Sequence, residues 1–213
     1  MSEIVHKVTA FITRDQGTRR EILVFQHPTA GIQLPAGTVE RGEDIKRAVI
    51  REAQEETGIE TFALHALLGG ITNELGNGEC IITQTIHVRL EPDEKAMPFE
   101  RTFGRGATVS FHESVNGWAH VSYTEFNQVP NPNSIHWKIE GWVPDGAISH
   151  DKTRHFFHLI TQEETPDRWS LDGDAGHIFE PFWAPLSPRP RLVPPQDGWL
   201  EVVYDQLIGV KHL

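Results

Sequence analysis

The sequence of 213 residues is poor in cysteine: it contains only Cys80, so no disulfide can form within the chain. It also lacks any apolar run that approaches the length of a membrane-spanning helix. The first residues, MSEIVHKVTAFITRD, lack the basic start and apolar block of a signal peptide. These absences fit a reducing compartment, and we expect a cytoplasmic protein that does not act at a membrane.

A stretch rich in lysine and arginine is also missing, and the formal net charge is −11. This balance disfavours binding to long nucleic acid, although a bound cation can still attract a small phosphorylated ligand. The twelve histidines are scattered and form neither a HExxH motif nor a His/Cys cluster. Any metal site is therefore expected to use other ligands.

What the sequence does contain is a group of glutamates in a predicted helix from about Asp44 to Thr57, which ends before a glycine. At about 100° per residue, Glu52 and Glu56 continue the apolar stripe of this helix. A solvated acidic face would instead place them opposite that stripe. Because partly buried carboxylates need cations, we favour a site for a hard divalent ion over a solvated face.

Outside this helix, β-branched and aromatic residues predict strands at 4–15, 19–27, 62–70, 153–164 and 177–186. The turn DQGT predicts a hairpin between the first two of these strands. Short strand-like runs with frequent Gly, Pro and Asn fill residues 71–150. Near the end of the sequence, Asp-Gly followed by an apolar-periodic run predicts a final helix.

The spacing of residues 37–59 resembles the Nudix box. That pattern is Gly, five residues, Glu, seven residues, Arg-Glu, an aliphatic residue, any residue, Glu-Glu, any residue, Gly and an aliphatic residue. This chain matches every position, with Gly37, Glu43, Arg51, Glu52, Ala53, Glu55, Glu56, Gly58 and Ile59. The family fold implied is an α/β/α sandwich with a mixed β-sheet.

The resemblance implies a metal-dependent pyrophosphohydrolase that acts on a nucleoside diphosphate derivative with Mg²⁺ or Mn²⁺. Glu52, Glu55, Glu56 and the carbonyl of Ala36 are the metal ligands that it implies. Glu43 and Arg51 are expected to pair and brace the loop against the helix. Gly37 is expected to let the backbone approach the metal and substrate closely.

The catalytic base and the substrate stay open. Glu52 is the first choice for the base, and the alternatives from a later loop are Glu163, Glu164 and Glu180. Phe156 and Trp183 are candidates for stacking on a base, and core packing is the competing explanation for such aromatic residues. The subfamily markers that we expect downstream of the box are absent, so they select no substrate.

Residues 84–150 resemble a bacterial SH3-like barrel, on the strength of IHVRLEP, FGRGATVSFHESVNGWAHVSY and IEGWVPDGAI. We therefore expect a Nudix domain at 1–83 plus 151–213, with a small all-β barrel inserted at 84–150. A long β-rich loop is the alternative to the barrel. We expect the insertion to border the substrate pocket or to build a dimer interface.

Two classes of function follow from these patterns. The first is a pyrophosphohydrolase acting on a nucleoside triphosphate, a nucleotide sugar or a related compound. The second is a non-catalytic nucleotide-sensing or scaffold protein with an SH3-like docking module. The complete set of box residues favours the first, and a homodimer is expected because dimers are frequent in the family.

Overall fold

The computed structural model describes residues 3–126, 134–161, 163–173 and 176–209. These residues divide into two compact units. One unit contains residues 8–70, 155–161, 163–173 and 176–209, and carries the glutamate helix. The other contains residues 3–7, 71–126 and 134–154. Three strands pass from one unit into the other along the chain.

The first unit is built on an eight-stranded sheet with the order β14-β15-β2-β1-β13-β5, in which β3 also pairs with β2 and β4 with β1. Its strands are β1 (Val5–Gln16), β2 (Arg19–His27), β3 (Gly31–Gln33), β4 (Ala36–Thr38), β5 (Phe62–Thr72), β13 (Lys152–Thr161), β14 (Leu171–Asp172) and β15 (Ile178–Pro185). The hairpin β1–β2 is antiparallel, as predicted, and β15 pairs antiparallel with the other side of β2.

The two helices of this unit are α1 (Ile45–Thr57) and α2 (Gln196–Gly209). Side chains alternate across a strand, so successive residues of β1 and β13 face different layers. Val8, Ala10, Ile12, Phe157 and Leu159 form a buried cluster with the apolar residues of α1. Phe156, next to Phe157, instead packs against Trp199 of α2. The helices therefore cover opposite faces of the sheet, in agreement with the predicted α/β/α layers.

Both ends of α1 are capped, and the sequence predicts the cap at Gly58. Asp44 is the N-cap, and its side chain accepts hydrogen bonds from the backbone N–H groups of Lys46 and Arg47. Gly58 ends the helix in the left-handed conformation, with φ of 73°, and its N–H donates to the carbonyl of Gln54. Asp44 therefore acts as a cap before the helix begins.

The second unit is a seven-stranded sheet with the order β12-β6-β9-β10-β11-β7-β8. Its strands are β6 (Glu79–Ile82), β7 (Ile86–Arg89), β8 (Pro98–Phe103), β9 (Thr108–Val115), β10 (Trp118–Phe126), β11 (Ile135–Pro144) and β12 (Ile148–Ser149), with a 3₁₀ turn at Asp145–Ala147. Its buried cluster includes Cys80, Val88, Val109, Val121 and Val143. This unit is all β, and its assignment to the SH3-like barrels remains a prediction.

Two features of the second sheet differ from the sequence-based expectation. Residues 81–92, IITQTIHVRLEP, form one strand-like run in the sequence, but the structure divides it between β6 and β7, because β6 pairs with β9 and β12 while β7 pairs with β11 and β8. The sequence did not predict β8, which begins with a proline and contains charged residues. No helix among the described residues has the length and hydrophobicity needed to cross a membrane.

Candidate active site

The glutamates of α1 lie against the short strand β4. The backbone N–H of Ala36 donates to Oε2 of Glu56 at 2.8 Å. A Cβ atom added to Gly37 would lie 1.9 Å from Cδ of Glu52. The carboxylates of Glu52 and Glu56 are therefore both held at the backbone of residues 36–37, one helical turn apart on α1.

Arg51 connects the loop before α1 with the glutamates of the helix. Its Nε and Nη2 donate to the two carboxylate oxygens of Glu43, each at 2.9 Å. Its Nη1 donates to Glu52 Oε1 and to Glu55 Oε2, both at 3.0 Å. Its Nη2 also donates to the carbonyl of Thr38 at 3.1 Å. One guanidinium therefore links three carboxylates with the end of β4.

The Glu43–Arg51 pair fixes the charge of both partners. The hydrogen bond from Arg51 is the main cause that lowers the pKa of Glu43, and the backbone N–H of Glu40 also donates to this carboxylate. The same hydrogen bond is the main cause that raises the pKa of Arg51. Both groups are therefore ionised around neutral pH, and the pairing expected from the sequence is present.

The burial of the three glutamates is unequal. The side chain of Glu52 is 13% exposed, whereas that of Glu55 is 56% exposed. Glu56 is half-buried beside Ala36. This arrangement agrees with the helical stripe that places Glu52 and Glu56 on the inner side and Glu55 at its edge.

The donor types at this site fit a hard divalent cation, since Mg²⁺ and Mn²⁺ prefer carboxylate and carbonyl oxygens. Gly37 also leaves the space beside the Glu52 carboxylate that a Cβ would fill. Within the described ranges, no group of three His, Cys, Asp or Glu side chains forms a cluster arranged to hold a metal ion. Glu52 and Glu55 contact Arg51 instead, so the ligand set of Glu52, Glu55, Glu56 and Ala36 stays a prediction.

The three alternative bases differ in their contacts. The carboxylate of Glu163 accepts a hydrogen bond from the backbone N–H of Thr61. Glu180 lies on β15 and pairs with Arg168 at 3.1 Å. Glu164 is exposed to solvent. Two of the candidates thus have structural partners, and Glu52 as the base, with Glu163, Glu164 and Glu180 as alternatives, stays a prediction.

The two aromatic candidates lie in the core. Phe156 is fully buried and packs edge-on against Phe11, with the ring centroids 5.5 Å apart. Trp183 is 7% exposed, and its indole N–H donates to Oγ1 of Thr165 at 2.9 Å. The guanidinium of Arg14 lies over the Trp183 ring. In this structure, core packing therefore accounts for both rings, and Phe156 has no surface on which a base can stack.

Two contributors to the site are not identifiable from the sequence pattern. The carbonyl of Thr38 accepts from Arg51, and a backbone acceptor has no signature in the side-chain pattern. The side chain of Gln196, at the start of α2, accepts a hydrogen bond from the backbone N–H of Leu34. Gln196 is buried, and it thereby anchors the segment between β3 and β4.

The fold and the site define an α/β domain in which one helix presents carboxylates beside a glycine-containing strand. Residues 5–100 match the family model described as NUDIX domain, a range that includes the glutamate helix. A Caenorhabditis elegans protein that carries the name nudix hydrolase 1 is 45% identical over 53 residues. The match covers 23% of this chain and 14% of that protein. Both matches are to Nudix proteins, and each covers less than half of this chain.

Two solved structures are similar over most of the chain at low sequence identity. A crystal structure of a C. elegans Ap4A hydrolase binary complex has a TM-score of 0.46 and 15% identity, and covers 97% of this chain and 100% of that one. The NUDIX domain of Shewanella oneidensis NrtR, complexed with ADP ribose, has a TM-score of 0.43 and 10% identity, and covers 97% and 90%. With TM-scores below 0.5, neither supports a conclusion about this chain.

Proposed function

We propose that this protein is a metal-dependent pyrophosphohydrolase that cleaves the pyrophosphate linkage of a nucleoside diphosphate derivative. Candidate substrates are a nucleoside triphosphate, a nucleotide sugar or a related compound. The observation that carries the proposal is the position of the Glu52 carboxylate against Gly37, with Glu56 bound to the neighbouring Ala36 N–H. This arrangement brings inward-facing carboxylates to a backbone segment that a phosphate group can approach closely.

In this proposal, Glu52, Glu55, Glu56 and the carbonyl of Ala36 hold Mg²⁺ or Mn²⁺. The bound ion supplies positive charge to the phosphoryl oxygens and lowers the pKa of water. Glu52 accepts the proton of the attacking water, with Glu163, Glu164 and Glu180 as the alternative bases. The water oxygen bonds to phosphorus while the bridging P–O bond breaks, and the leaving phosphate takes the bonding electron pair.

Arg51 and Glu43 act as positioning residues in this mechanism. Arg51 shares its Nη1 between Glu52 and Glu55, so it limits the repulsion between these two carboxylates. Its other two nitrogens hold Glu43 and the carbonyl of Thr38. The pair therefore sets the distance between the loop and the helix, on which the Glu52–Gly37 contact depends.

The test measures phosphate and nucleotide products from a panel of nucleoside triphosphates, dinucleotides and nucleotide sugars, with Mg²⁺ and with Mn²⁺. We expect turnover of at least one class, and we expect Glu52→Gln to lower kcat by a factor on the order of 100 or more, as for loss of a general base. Glu60→Gln, at an exposed glutamate just after α1, is the matched control and should retain activity.

Two results would contradict the proposal. The first is no turnover across the panel alongside measurable nucleotide binding, which would support the sensing or scaffold alternative. The second is wild-type turnover by a folded Glu52→Gln variant on the best substrate. Turnover that requires the metal and Glu52 would support the assignment.

The proposal also covers the role of the second unit, the cellular compartment and the association state of the protein. The resemblance of 84–150 to an SH3-like barrel, together with the seven-stranded sheet, supports a small docking module. The single cysteine is buried, and burial raises its pKa to about 12. A reducing, cytoplasmic setting is also part of the proposal. A homodimer remains part of the proposal.

A further inference from the structure

The segment that joins β3 to β4 is held by a side chain from outside these strands. β3 ends at Gln33 and β4 begins at Ala36, so Leu34 and Pro35 belong to neither strand. Leu34 is 1% exposed, and a buried backbone N–H needs an acceptor. Oε1 of Gln196, at the start of α2, accepts this hydrogen bond at 2.5 Å. The acceptor therefore comes from a residue 162 positions further along the chain.

Gln196 is itself held in place by burial and by its backbone. It is the first residue of α2 and is 7% exposed, whereas the next residue, Asp197, is exposed. The N–H of Gln196 donates to the carbonyl of Val193 at 2.8 Å, and the N–H of Val193 donates to the carbonyl of Ile32 at 3.0 Å. The start of α2 and the residues before it therefore bind the segment at two nearby points, Ile32 and Leu34.

Pro35 connects the Leu34 backbone to the glutamate site. Its ring fixes φ at about −65°, so few soft torsions separate Leu34 from Ala36. The N–H of Ala36 in turn donates to Oε2 of Glu56 at 2.8 Å. The carbonyl of Pro35 accepts from the N–H of Ala10 at 2.8 Å, which gives the segment a second anchor on β1. Loss of the Gln196 bond should therefore shift Ala36 while the segment stays attached to the sheet.

We propose that Gln196 is a positioning residue for the metal site, because its hydrogen bond to the Leu34 N–H fixes the backbone of Ala36 beside the Glu56 carboxylate. This inference rests on the proposed function, in which the Ala36 carbonyl and Glu56 are metal ligands. Residues that hold a ligand from behind commonly change metal affinity by a factor of about 10 to 100 when they are replaced. The competing explanation is that Gln196 only attaches α2 to the sheet.

The test measures Mn²⁺ binding to the metal-free full chain through the electron paramagnetic resonance signal of free Mn²⁺. Gln196→Met keeps the length of the side chain and removes the amide acceptor, so it should raise the Mn²⁺ dissociation constant about tenfold. Gln196→Glu keeps an acceptor oxygen in either protonation state and should bind Mn²⁺ about as the wild type does. Val203→Ala, at a fully buried residue of α2, is the control. It should lower the melting temperature and leave the dissociation constant unchanged.

Hydrogen exchange of the metal-free protein gives a readout that does not involve the ion. The Leu34 amide should exchange faster in Gln196→Met than in the wild type and in Gln196→Glu. Gln196→Asn, whose side chain is one methylene shorter, is the second variant if Gln196→Met does not fold. It should show the same faster exchange and the same weaker Mn²⁺ binding.

Three results would overturn the inference while leaving the proposed function intact. They are wild-type Mn²⁺ affinity in the folded variant without the acceptor, a Gln196→Glu protein that binds as weakly as Gln196→Met, and an equal loss of affinity in Val203→Ala. A wild-type protein that neither binds Mn²⁺ nor turns over any nucleotide contradicts the proposed function itself, and this inference with it.

Discussion

Gly37 leaves space for the Glu52 carboxylate because it has no Cβ. An added methyl group would lie 1.9–2.1 Å from the three carboxylate atoms, and these are the far end of a side chain that can rotate away. The substitution therefore acts on the position of Glu52 more than on the fold.

We predict that Gly37→Ala lowers kcat by a factor on the order of 100, the cost of misplacing a reacting group by about 1 Å. The melting temperature should stay close to that of the wild type. Gly104→Ala, where an added Cβ meets no atom within 4 Å, should change neither quantity. Full activity of folded Gly37→Ala would show that the Glu52–Gly37 contact does not matter for turnover.

His27 holds the turn between β2 and β3 in its neutral form. Its Nδ1 accepts hydrogen bonds from the backbone N–H groups of Thr29 and Ala30, at 3.2 and 3.0 Å. Its ring centroid lies 4.9 Å from that of His177. Burial, and to a lesser degree the charge of His177, lower the pKa of His27. Protonation at Nδ1 would remove the acceptor that both backbone groups use.

Because the pKa of His27 is lowered by folding, the unfolded chain binds a proton at this residue more readily than the folded chain. The pKa of a histidine in the unfolded chain is about 6.5. The free energy of unfolding should therefore fall as the pH drops through 6.5 towards the folded pKa. We predict that His27→Gln reduces this fall between pH 7.5 and pH 5.5, measured by urea denaturation. Equal pH slopes in the two proteins would contradict this role of His27.

Trp169, which lies between β13 and β15, contacts the end of α1. The indole N–H of Trp169 donates to the carbonyl of Thr57 at 2.7 Å. Thr57 is the last residue of α1, where helix carbonyls lack partners within the helix. Trp169 also packs against the buried cluster under α1. The contact therefore closes the end of the helix that carries the glutamates.

We predict that Trp169→Phe lowers the free energy of unfolding by about 1 kcal/mol, because a partly buried hydrogen bond is lost while most of the ring remains. Chemical denaturation measures the change. Trp118→Phe, at a half-buried tryptophan of the second unit, controls for the loss of ring area. A Trp169→Phe protein as stable as the control would mean that Thr57 finds another donor.

Local signals predicted the helices and the long strands well. Asp44 and Gly58 define the ends of α1 through short-range hydrogen bonds, and the sequence predicted the end at Gly58. The boundary between β6 and β7 depends instead on which distant strands each segment joins. Thr83, just after β6, donates its N–H to the carbonyl of Ala147, 64 positions further along the chain. No local pattern contains that information.

The candidate site shows the same division between local and distant information. Helical periodicity predicted that Glu52 and Glu56 face inward, because one element contains all the residues concerned. The Nudix spacing implied the Glu43–Arg51 pair, and the structure contains it. Arg51 is shared between Glu52 and Glu55, and Phe156 and Trp183 lie in the core. Both features depend on packing, which the patterns of a single sequence do not encode.

Across the whole chain, strand order was the least predictable property. β15 joins β2, although more than 150 residues separate Trp183 from its partner Leu23. Such pairings depend on the shape of the folded sheet rather than on neighbouring residues. Composition, by contrast, gave the net charge of −11 and the single cysteine without reference to the fold.

The pairing of β6 with β12 brings together the first and the last strand of the second sheet in chain order. Ile82 is the partner of Ile148, and Ile81 is the partner of Ser149, so these two strands are neighbours about 5 Å apart. Segments whose two ends lie close together tolerate circular permutation well. A new start within one of the inner hairpins, with the end of β12 linked to the beginning of β6, would therefore leave the strand order of this sheet unchanged.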